Sequence, residues 1–287
     1  MPKSRSERLA EANHHDRSSY DNMSAEDRIN ELKKIHPGIF SYRVFNDDEC
    51  NKLENKIEKK IVKKAERGCF KTFTVDRSPL RNKYFFGEGY TYGDQLERKG
   101  VGQEKVYPPG QIDPIPKWIV KHVINPLEKQ GFIKSDWVNS AVINDYLPGG
   151  CIVSHIDPVH IFERPIISVS FFSDCALSFG CRFFFKPIRT TQPILSVPLR
   201  RGCVVKLDGY AADNVTHCIR PDDVTDRRAV IILRRVRDDA PRLKSTEFQR
   251  LLDRRSENSH FSHKYVRDKR KREDSDSERK SKKSRHH

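Results

Sequence analysis

The chain has 287 residues, which is enough for one large all-β or mixed domain or for two small domains. Its formal net charge of +15 favours a polyanionic partner such as nucleic acid, although solvated basic tails around a nearly neutral core are the alternative. Seven cysteines without a C-x-x-C pair argue against a zinc ribbon or a secreted disulfide framework, and without a signal peptide or an apolar run of membrane-spanning length we expect an intracellular protein.

The N-terminal part of the chain divides into a polar stretch and a helix. Residues 1–38 are polar, and although 27–35 could form a short helix, we expect a largely disordered tail. A helix is predicted from about Asp47 to Arg67. Asn46 and Glu49 have the spacing of a capping box, and an apolar residue recurs every fourth position within the predicted helix.

Aromatic and basic residues alternate between Arg81 and Gly93, in a stretch that contains three glycines. Such a segment suits a lid that stacks on a base and contacts phosphates. A β-hairpin whose aromatic side chains face the core explains the same pattern, and the residues alone do not decide between the two.

The remainder of the domain combines one helix with many short strands. A helix is predicted over 114–130, with Pro116 in its first turn. Runs rich in Val, Ile and Phe predict strands at 140–146, 165–173, 176–185, 193–198, 203–207 and 229–236. Many strands behind two helices indicate a β-sandwich or jelly roll with helices on one face. The folded domain is therefore expected over 39–243.

Residues 244–287 are expected to form a basic, disordered tail. Within it, 264–287 contain eleven Lys or Arg against five acids. Charge blocks of this kind are typical of nuclear localisation or nucleic-acid binding, and a solubilising tail is the alternative.

The motif with the clearest chemistry is His155-Ile156-Asp157. On a strand, two residues of the same parity project from one face, so the imidazole and the carboxylate would make two legs of a metal site. His217, 60 residues after Asp157, is the candidate third ligand. Two histidines and one carboxylate form the facial triad of non-haem Fe(II) oxygenases.

Four further polar residues favour a ligand beside this triad. Asn144 and Tyr146 share a strand face upstream of His155. Arg228 and Arg234 share a face on a strand whose intervening aliphatic residues indicate burial. A buried Arg needs an anionic partner, and a small dicarboxylate would serve. An internal pair of Arg with Asp226 or Asp157 is the alternative.

The order Asn-x-Tyr, His-x-Asp, His and Arg-x5-Arg resembles the AlkB family of Fe(II)- and 2-oxoglutarate-dependent dioxygenases. Longer runs strengthen the resemblance: 139–146, 149–158, 160–165, 209–213 and 216–221 are similar to members that demethylate N6-methyladenosine in RNA. The resemblance covers roughly residues 47–243. It implies an α+β fold with a double-stranded β-helix (jelly-roll) core and supporting helices on one face.

The resemblance also implies roles for individual residues. His155, Asp157 and His217 would bind Fe(II), and Asn144, Tyr146, Arg228, Arg234 and Lys83 would bind 2-oxoglutarate. Lys83 and Tyr90 would have catalytic roles, while Arg81, Tyr90, Phe183 and Phe185 would contact the substrate. Cys181 and Cys218 match a pair that is joined as a disulfide in the family member.

The implied function is oxidative demethylation of N6-methyladenosine in single-stranded RNA. 2-Oxoglutarate and O2 would be converted to succinate and CO2, with release of formaldehyde. A demethylase of other N-methylated bases in RNA or DNA, and a non-catalytic RNA-binding protein with a vestigial metal site, are the alternatives. We expect a monomer with no membrane association, located in the nucleus, including nuclear speckles, with a cytoplasmic fraction.

Overall fold

The computed structural model describes residues 20, 23–96, 100 and 102–255. The chain divides into two compact units, Met1–Arg242 and Leu243–His287. None of the described helices has the length and apolar character needed to cross a bilayer. The fold described below belongs to the first unit.

The first helix, α1 (Ala25–Ile35), lies within the stretch expected to be a disordered tail. Ser24 caps its N-terminus by accepting a hydrogen bond from the Asp27 N–H at 3.1 Å. Glu31 accepts a hydrogen bond from the Tyr210 hydroxyl at 2.6 Å, and Ile35 is fully buried. The expectation was wrong for this helix because contacts with distant residues anchor it, and its own thin apolar stripe does not reveal them. Residues 1–19, 21 and 22 lie outside the described part.

Two longer helices pack on one face of the larger sheet. Helix α2 runs over Asp47–Ile57 and continues through a π-helical turn, Glu58–Val62, to Lys63–Glu66. The predicted capping box is present, with Asn46 and Glu49 each bonding the other's backbone N–H at 2.9 Å. Helix α3 comprises Lys117–Ile119, Val120–Ile124 and Asn125–Lys129. Pro116 precedes α3 as its N-cap instead of lying in its first turn. A short helix, α4 (Gly209–Asp213), follows later in the chain.

In the described part of the chain, thirteen strands form three antiparallel sheets. Their bounds are β1 Ile39–Arg43, β2 Val75–Ser78, β3 Arg81–Gly87, β4 Ser140–Tyr146, β5 Ile152–His155, β6 Ile166–Phe171, β7 Cys175–Phe179, β8 Phe183–Phe184, β9 Arg189–Thr190, β10 Leu195–Leu199, β11 Cys203–Leu207, β12 His217–Ile219 and β13 Arg228–Arg234. The larger sheet has the order β1-β11-β6-β13-β4-β3-β2 and the smaller one β10-β7-β12-β5, while β8 and β9 form a hairpin. The jelly-roll core with helices on one face is confirmed.

Between its two terminal arginines, strand β13 is apolar at every position, because both of its faces are buried. Its odd-numbered residues, such as Ile231 and Leu233, pack in the cluster that includes helices α2 and α3. Its even-numbered residues line the cavity between the two sheets. Because both faces of the strand are covered, polar and apolar residues do not alternate along it, and the two cavity-facing arginines become buried.

The aromatic stretch from Arg81 to Gly93 forms a strand instead of a mobile lid over most of its length. Strand β3 lies between β2 and β4, and Tyr84, Phe85 and Phe86 are buried. The hairpin interpretation was therefore the correct one for 81–87, because helices and cavity cover both faces of β3. The strand predicted over 176–185 divides into β7 and β8, with Gly180 at a positive φ between them.

The C-terminal unit contains a helix over 245–255, within the tail that was expected to be disordered. At the N-terminus of this helix, the Lys244 N–H donates a hydrogen bond to Glu247 Oε2 at 2.9 Å. Residues 256–287, including the basic stretch 264–287, lie outside the described part. A nuclear-localisation role for that stretch stays a prediction.

An ion cluster attaches α2 to the larger sheet. Arg227 donates two hydrogen bonds to the Asp145 carboxylate, both at 3.0 Å, and one to Glu58 at 2.9 Å. Asp145 is only 6% exposed, and Arg227 is the cation paired with it. We expect Arg227→Met to lower the free energy of unfolding in urea by about 2 kcal/mol, since it leaves a buried carboxylate unpaired.

The matched control is Arg237→Met, which removes a guanidinium that is paired with the exposed carboxylate of Asp239. Exposed pairs contribute little, so this change should cost less than about 0.5 kcal/mol. Equal losses in both variants would contradict a structural role for the Arg227 cluster.

Candidate active site

A cavity of about 740 Å³, counted with its open mouth, lies between the two sheets. It is lined by apolar side chains from both sheets and by a group of polar ones. The polar lining includes Lys83, Tyr90, Asn144, Tyr146, His155, Asp157, His217, Arg228 and Arg234. An enclosed, mostly apolar space with a few convergent polar groups is the usual form of a small-molecule site.

Three of these residues form a candidate metal site. One potential ligand atom each from His155, Asp157 and His217 lies within 4.8 Å of the other two. His217 Nε2 is 3.5 Å from Asp157 Oδ2. No other group of three or more His, Cys, Asp or Glu residues with this geometry occurs in the described residues.

Strand pairing and one arginine position the three side chains. His155 ends β5 and is the cross-strand partner of His217 in β12. Asp157 follows two residues later, beyond the end of the strand, so the expectation that both lie on one strand was only partly correct. Arg164 fixes this loop by donating to the Asp157 carbonyl at 2.7 Å, and the two side chains face the same cavity.

Neighbouring side chains keep the Asp157 carboxylate ionised. Burial alone would raise its pKa, but Arg234 and the two histidines outweigh burial and place the pKa well below the usual carboxyl range. Arg234 Nη1 donates to Oδ1 at 3.0 Å, which leaves Oδ2 facing His217. The internal Arg–Asp pair foreseen as an alternative is thus present, and contact of Arg234 with 2-oxoglutarate stays a prediction.

Both histidines are suited to bind a cation as neutral imidazoles. His155 Nδ1 lies 2.8 Å from the Val153 carbonyl, which can only accept a hydrogen bond, so Nε2 carries the free lone pair. Burial, together with the nearby His155, lowers the pKa of His217 to about 3. Two neutral imidazoles and a carboxylate are a donor set that fits Fe(II).

Arg228 is a buried cation without a carboxylate partner among the described residues. It is 1% exposed, and its Nη2 donates to the Ser170 hydroxyl at 3.2 Å. Its Nε and Nη1 have no hydrogen-bond partner, and neither has Oδ1 of Asn144. Unpaired buried groups are costly, so their presence on one cavity wall indicates a polar, anionic ligand.

The phenol of Tyr146 completes this wall. Its ring lies 5.4 Å from the Arg228 guanidinium carbon, on the neighbouring strand β4. Burial raises the pKa of Tyr146, so the hydroxyl keeps its proton and can donate to a carboxylate. The expected common face of Asn144, Tyr146 and Arg228 is therefore present, because antiparallel pairing places Arg228 directly opposite Tyr146.

Lys83 and Tyr90 also line the cavity: Lys83 is the cross-strand neighbour of Asn144, and Tyr90 lies beside Arg234. The ammonium of Lys83 is 3.8 Å from the centre of the Tyr92 ring. Burial, together with the nearby charge of Arg81, lowers the pKa of Lys83 to about 7. Tyr90 packs edge-on against Phe162, with ring centres 5.1 Å apart.

Other predicted site residues lie outside the cavity lining. Arg81 donates to the Cys151 carbonyl at 2.7 Å, beside the Tyr146 ring. Phe183 and Phe185 lie on and just beyond β8, with ring centres 6.4 Å apart, and Phe185 is exposed.

The two cysteines of the implied disulfide are both buried free thiols in this structure. Their side chains share a hydrogen bond, so Cys181 and Cys218 are neighbours without a covalent link. The disulfide stays a prediction.

Three residues with structural roles in the site were not found from the sequence. Ser170 binds Arg228, Arg164 fixes the Asp157 loop, and Tyr92 supports Lys83. Ser170 lies far from Arg228 along the chain, and the nearer Arg164 and Tyr92 stand in no sequence pattern that marks such a contact.

The lowered pKa of Lys83 predicts a dependence of stability on pH in the metal-free protein. Between its folded pKa of about 7 and its normal value of 10.5, the unfolded chain binds the proton more tightly than the folded one. The buried positive charge of Lys83 therefore lowers the free energy of unfolding by its full amount below about pH 7, and by less as the pH rises.

We expect the free energy of unfolding, measured in urea across this range, to rise with pH by up to about 1.4 kcal/mol per unit from this group. Lys83→Met should remove that part of the slope. An identical slope in the variant would show that Lys83 has a normal pKa.

Comparisons with known proteins agree with the geometry. A model of the 2OG-Fe(II) oxygenase superfamily matches residues 51–270. The chain is 59% identical over 230 residues to RNA demethylase ALKBH5 of Rattus norvegicus, covering 80% of this chain and 58% of that protein. It is 61% identical over 215 residues to ALKBH5 of Bos taurus, covering 75% and 54%.

A plant protein is a more distant relative. RNA demethylase ALKBH9B of Arabidopsis thaliana is 31% identical over 200 residues, covering 65% of this chain and 36% of that protein. The chain thus spans little more than half the length of the mammalian relatives. Since the family model matches most of its residues, the chain belongs to the 2OG-Fe(II) oxygenase superfamily.

Proposed function

We propose that this chain is an oxidative demethylase of N6-methyladenosine in single-stranded RNA. The observation that carries the proposal is one cavity that combines a His-Asp-His triad with an unpaired buried arginine. The names of the relatives, which are RNA demethylases, support the substrate class. The +15 charge suits a polyanionic substrate.

The triad would hold Fe(II), the metal of the superfamily, through His155 Nε2, His217 Nε2 and Asp157 Oδ2. Arg234 keeps Asp157 ionised and oriented, as a partner outside the coordination sphere does in many metal sites. A methyl C–H next to nitrogen is not acidic, so a general base alone cannot remove its proton. When bound, Fe(II) with 2-oxoglutarate and O2 supplies the oxidation of the methyl carbon, and the product loses formaldehyde.

The wall around Arg228 would bind 2-oxoglutarate. The free Nε and Nη1 of Arg228 can form a bidentate pair with its distal carboxylate. Tyr146 can donate its hydroxyl proton beside it, and the amide of Asn144 can bond the end nearer the metal. Lys83, with a pKa of about 7, adds a positive charge at neutral pH when an anion enters.

The RNA base would enter beside Tyr90, next to Arg234, while Arg81 lies at the other end of β3, beside Tyr146. The target methyl lies on a base edge that is paired in a duplex, so the nucleotide must be unpaired or flipped out. Tyr90 is the cavity-lining aromatic on that side, and Arg81 offers a charge for the backbone. Phe183 and Phe185 lie on the hairpin that follows β7 and would contact the strand beyond the target nucleotide.

The proposal is tested by mass spectrometry of nucleosides after the purified protein has reacted with single-stranded RNA that carries N6-methyladenosine. Fe(II) and ascorbate are present throughout, and 2-oxoglutarate is supplied or omitted. We expect loss of the methyl mark only with 2-oxoglutarate. His155→Ala should abolish turnover, since it removes a metal ligand, while leaving RNA affinity largely unchanged.

Release of succinate with a different methylated base would show that the proposed chemistry is right and that the substrate is a different one. No turnover on any methylated base would contradict an enzymatic function. Equal loss of binding and turnover in His155→Ala would show that this histidine supports the fold instead of the metal.

A further inference from the structure

The β8–β9 hairpin has two faces with different side chains. Cross-strand pairing places Phe184 opposite Arg189 and Phe183 opposite Thr190. Residues of the same parity share a face, so Arg182, Phe184 and Arg189 lie together on one side. Phe183 and Phe185, which the proposed function uses, belong to the other side.

The Arg182–Phe184–Arg189 face is exposed and positively charged. Phe184 is 39% exposed, and the guanidinium carbon of Arg182 lies 5.1 Å from the centre of its ring. Arg189 is exposed as well. In the described part of the chain, no carboxylate forms an ion pair with either arginine. The Phe184 ring is thus exposed beside one arginine and across the hairpin from another.

The hairpin begins close to the metal site. Its preceding residue, Cys181, accepts a hydrogen bond from the Ser154 hydroxyl at 2.5 Å, one residue before His155. The Cys181 thiol shares a hydrogen bond with Cys218, next to His217. The hairpin therefore follows β7 and is hydrogen-bonded at its base to β5 and β12, the two strands that carry the histidine ligands.

We propose that the Arg182–Phe184–Arg189 face binds one unpaired nucleotide of the RNA strand that flanks the methylated one. Its base would stack on Phe184, and its phosphate would be bound by a guanidinium. The aromatic ring and the two cations match the flat base and the anionic backbone of single-stranded RNA. This inference rests on the proposed function and adds to it a second nucleotide subsite.

The test measures affinity for a single-stranded RNA oligonucleotide with a central N6-methyladenosine, by fluorescence anisotropy. Phe184→Leu keeps an apolar side chain but removes the stacking surface, and we expect about 5-fold weaker binding or more. Phe184→Tyr should bind like the unaltered protein. The matched control, Ile188→Ala, removes another exposed apolar side chain of the same hairpin and should also have no effect.

Arg189→Gln should reduce the dependence of affinity on salt, with a log–log slope smaller by about one. Turnover at saturating RNA should stay unchanged in Ile188→Ala, because Ile188 belongs neither to the cavity lining nor to the Arg182–Phe184–Arg189 face. Normal RNA binding by Phe184→Leu, or an equal loss of affinity in Ile188→Ala, would contradict the nucleotide subsite. The exposed face would then be assigned to a protein partner. A failed proposed function is distinguishable, since the unaltered protein would then lack turnover while Phe184→Leu still weakened binding.

Discussion

The Arg228 guanidinium lies in the interior at 1% exposure, and two of its three nitrogens have no hydrogen-bond partner. Burying a charge without a counter-ion costs free energy, and the fold tolerates it because β13 is central in the larger sheet and covered on both faces. Its neighbour Arg234, six residues along the same strand, is buried too but is paired with Asp157. One arginine thus holds the metal-site carboxylate, and the other remains free for a ligand.

The different roles of Arg228 and Arg234 follow from how the strands of the two sheets pair. Strands β4 and β13 pair so that Tyr146 faces Arg228, while β5 and β12 bring His155 opposite His217 from the other sheet. A small dicarboxylate between the sheets can therefore contact the cation at one end and the triad at the other. The apolar remainder of the lining lowers the local dielectric constant, which strengthens both interactions. In the proposed complex, the β8–β9 hairpin would extend the same arrangement outward to the RNA strand.

Period-two alternation made much of the site predictable, because it is local: the shared faces of Asn144 with Tyr146 and of Arg228 with Arg234 needed only the strand assignment. Asp157 could be named only as one of two candidate partners for an arginine, and Ser170 was not found, since both reach β13 through long-range contacts. The helix over Ala25–Ile35 was missed because Tyr210, far along the chain, anchors it. For the stretch from Arg81 to Gly93, the sequence did not decide between a lid and a β-hairpin, because the alternation of residue types does not show which face of a strand is covered.

The most direct test of the unpaired cation is the free energy of unfolding of the unaltered protein and of Arg228→Met, with and without 2-oxoglutarate and Mn(II) in place of Fe(II). The account predicts that Arg228→Met is as stable as the unaltered protein or more stable without ligand, because an uncompensated buried charge is removed. It also predicts that 2-oxoglutarate stabilises the unaltered protein far more than the variant. A variant that is less stable without ligand, yet gains equally from 2-oxoglutarate, would contradict the account.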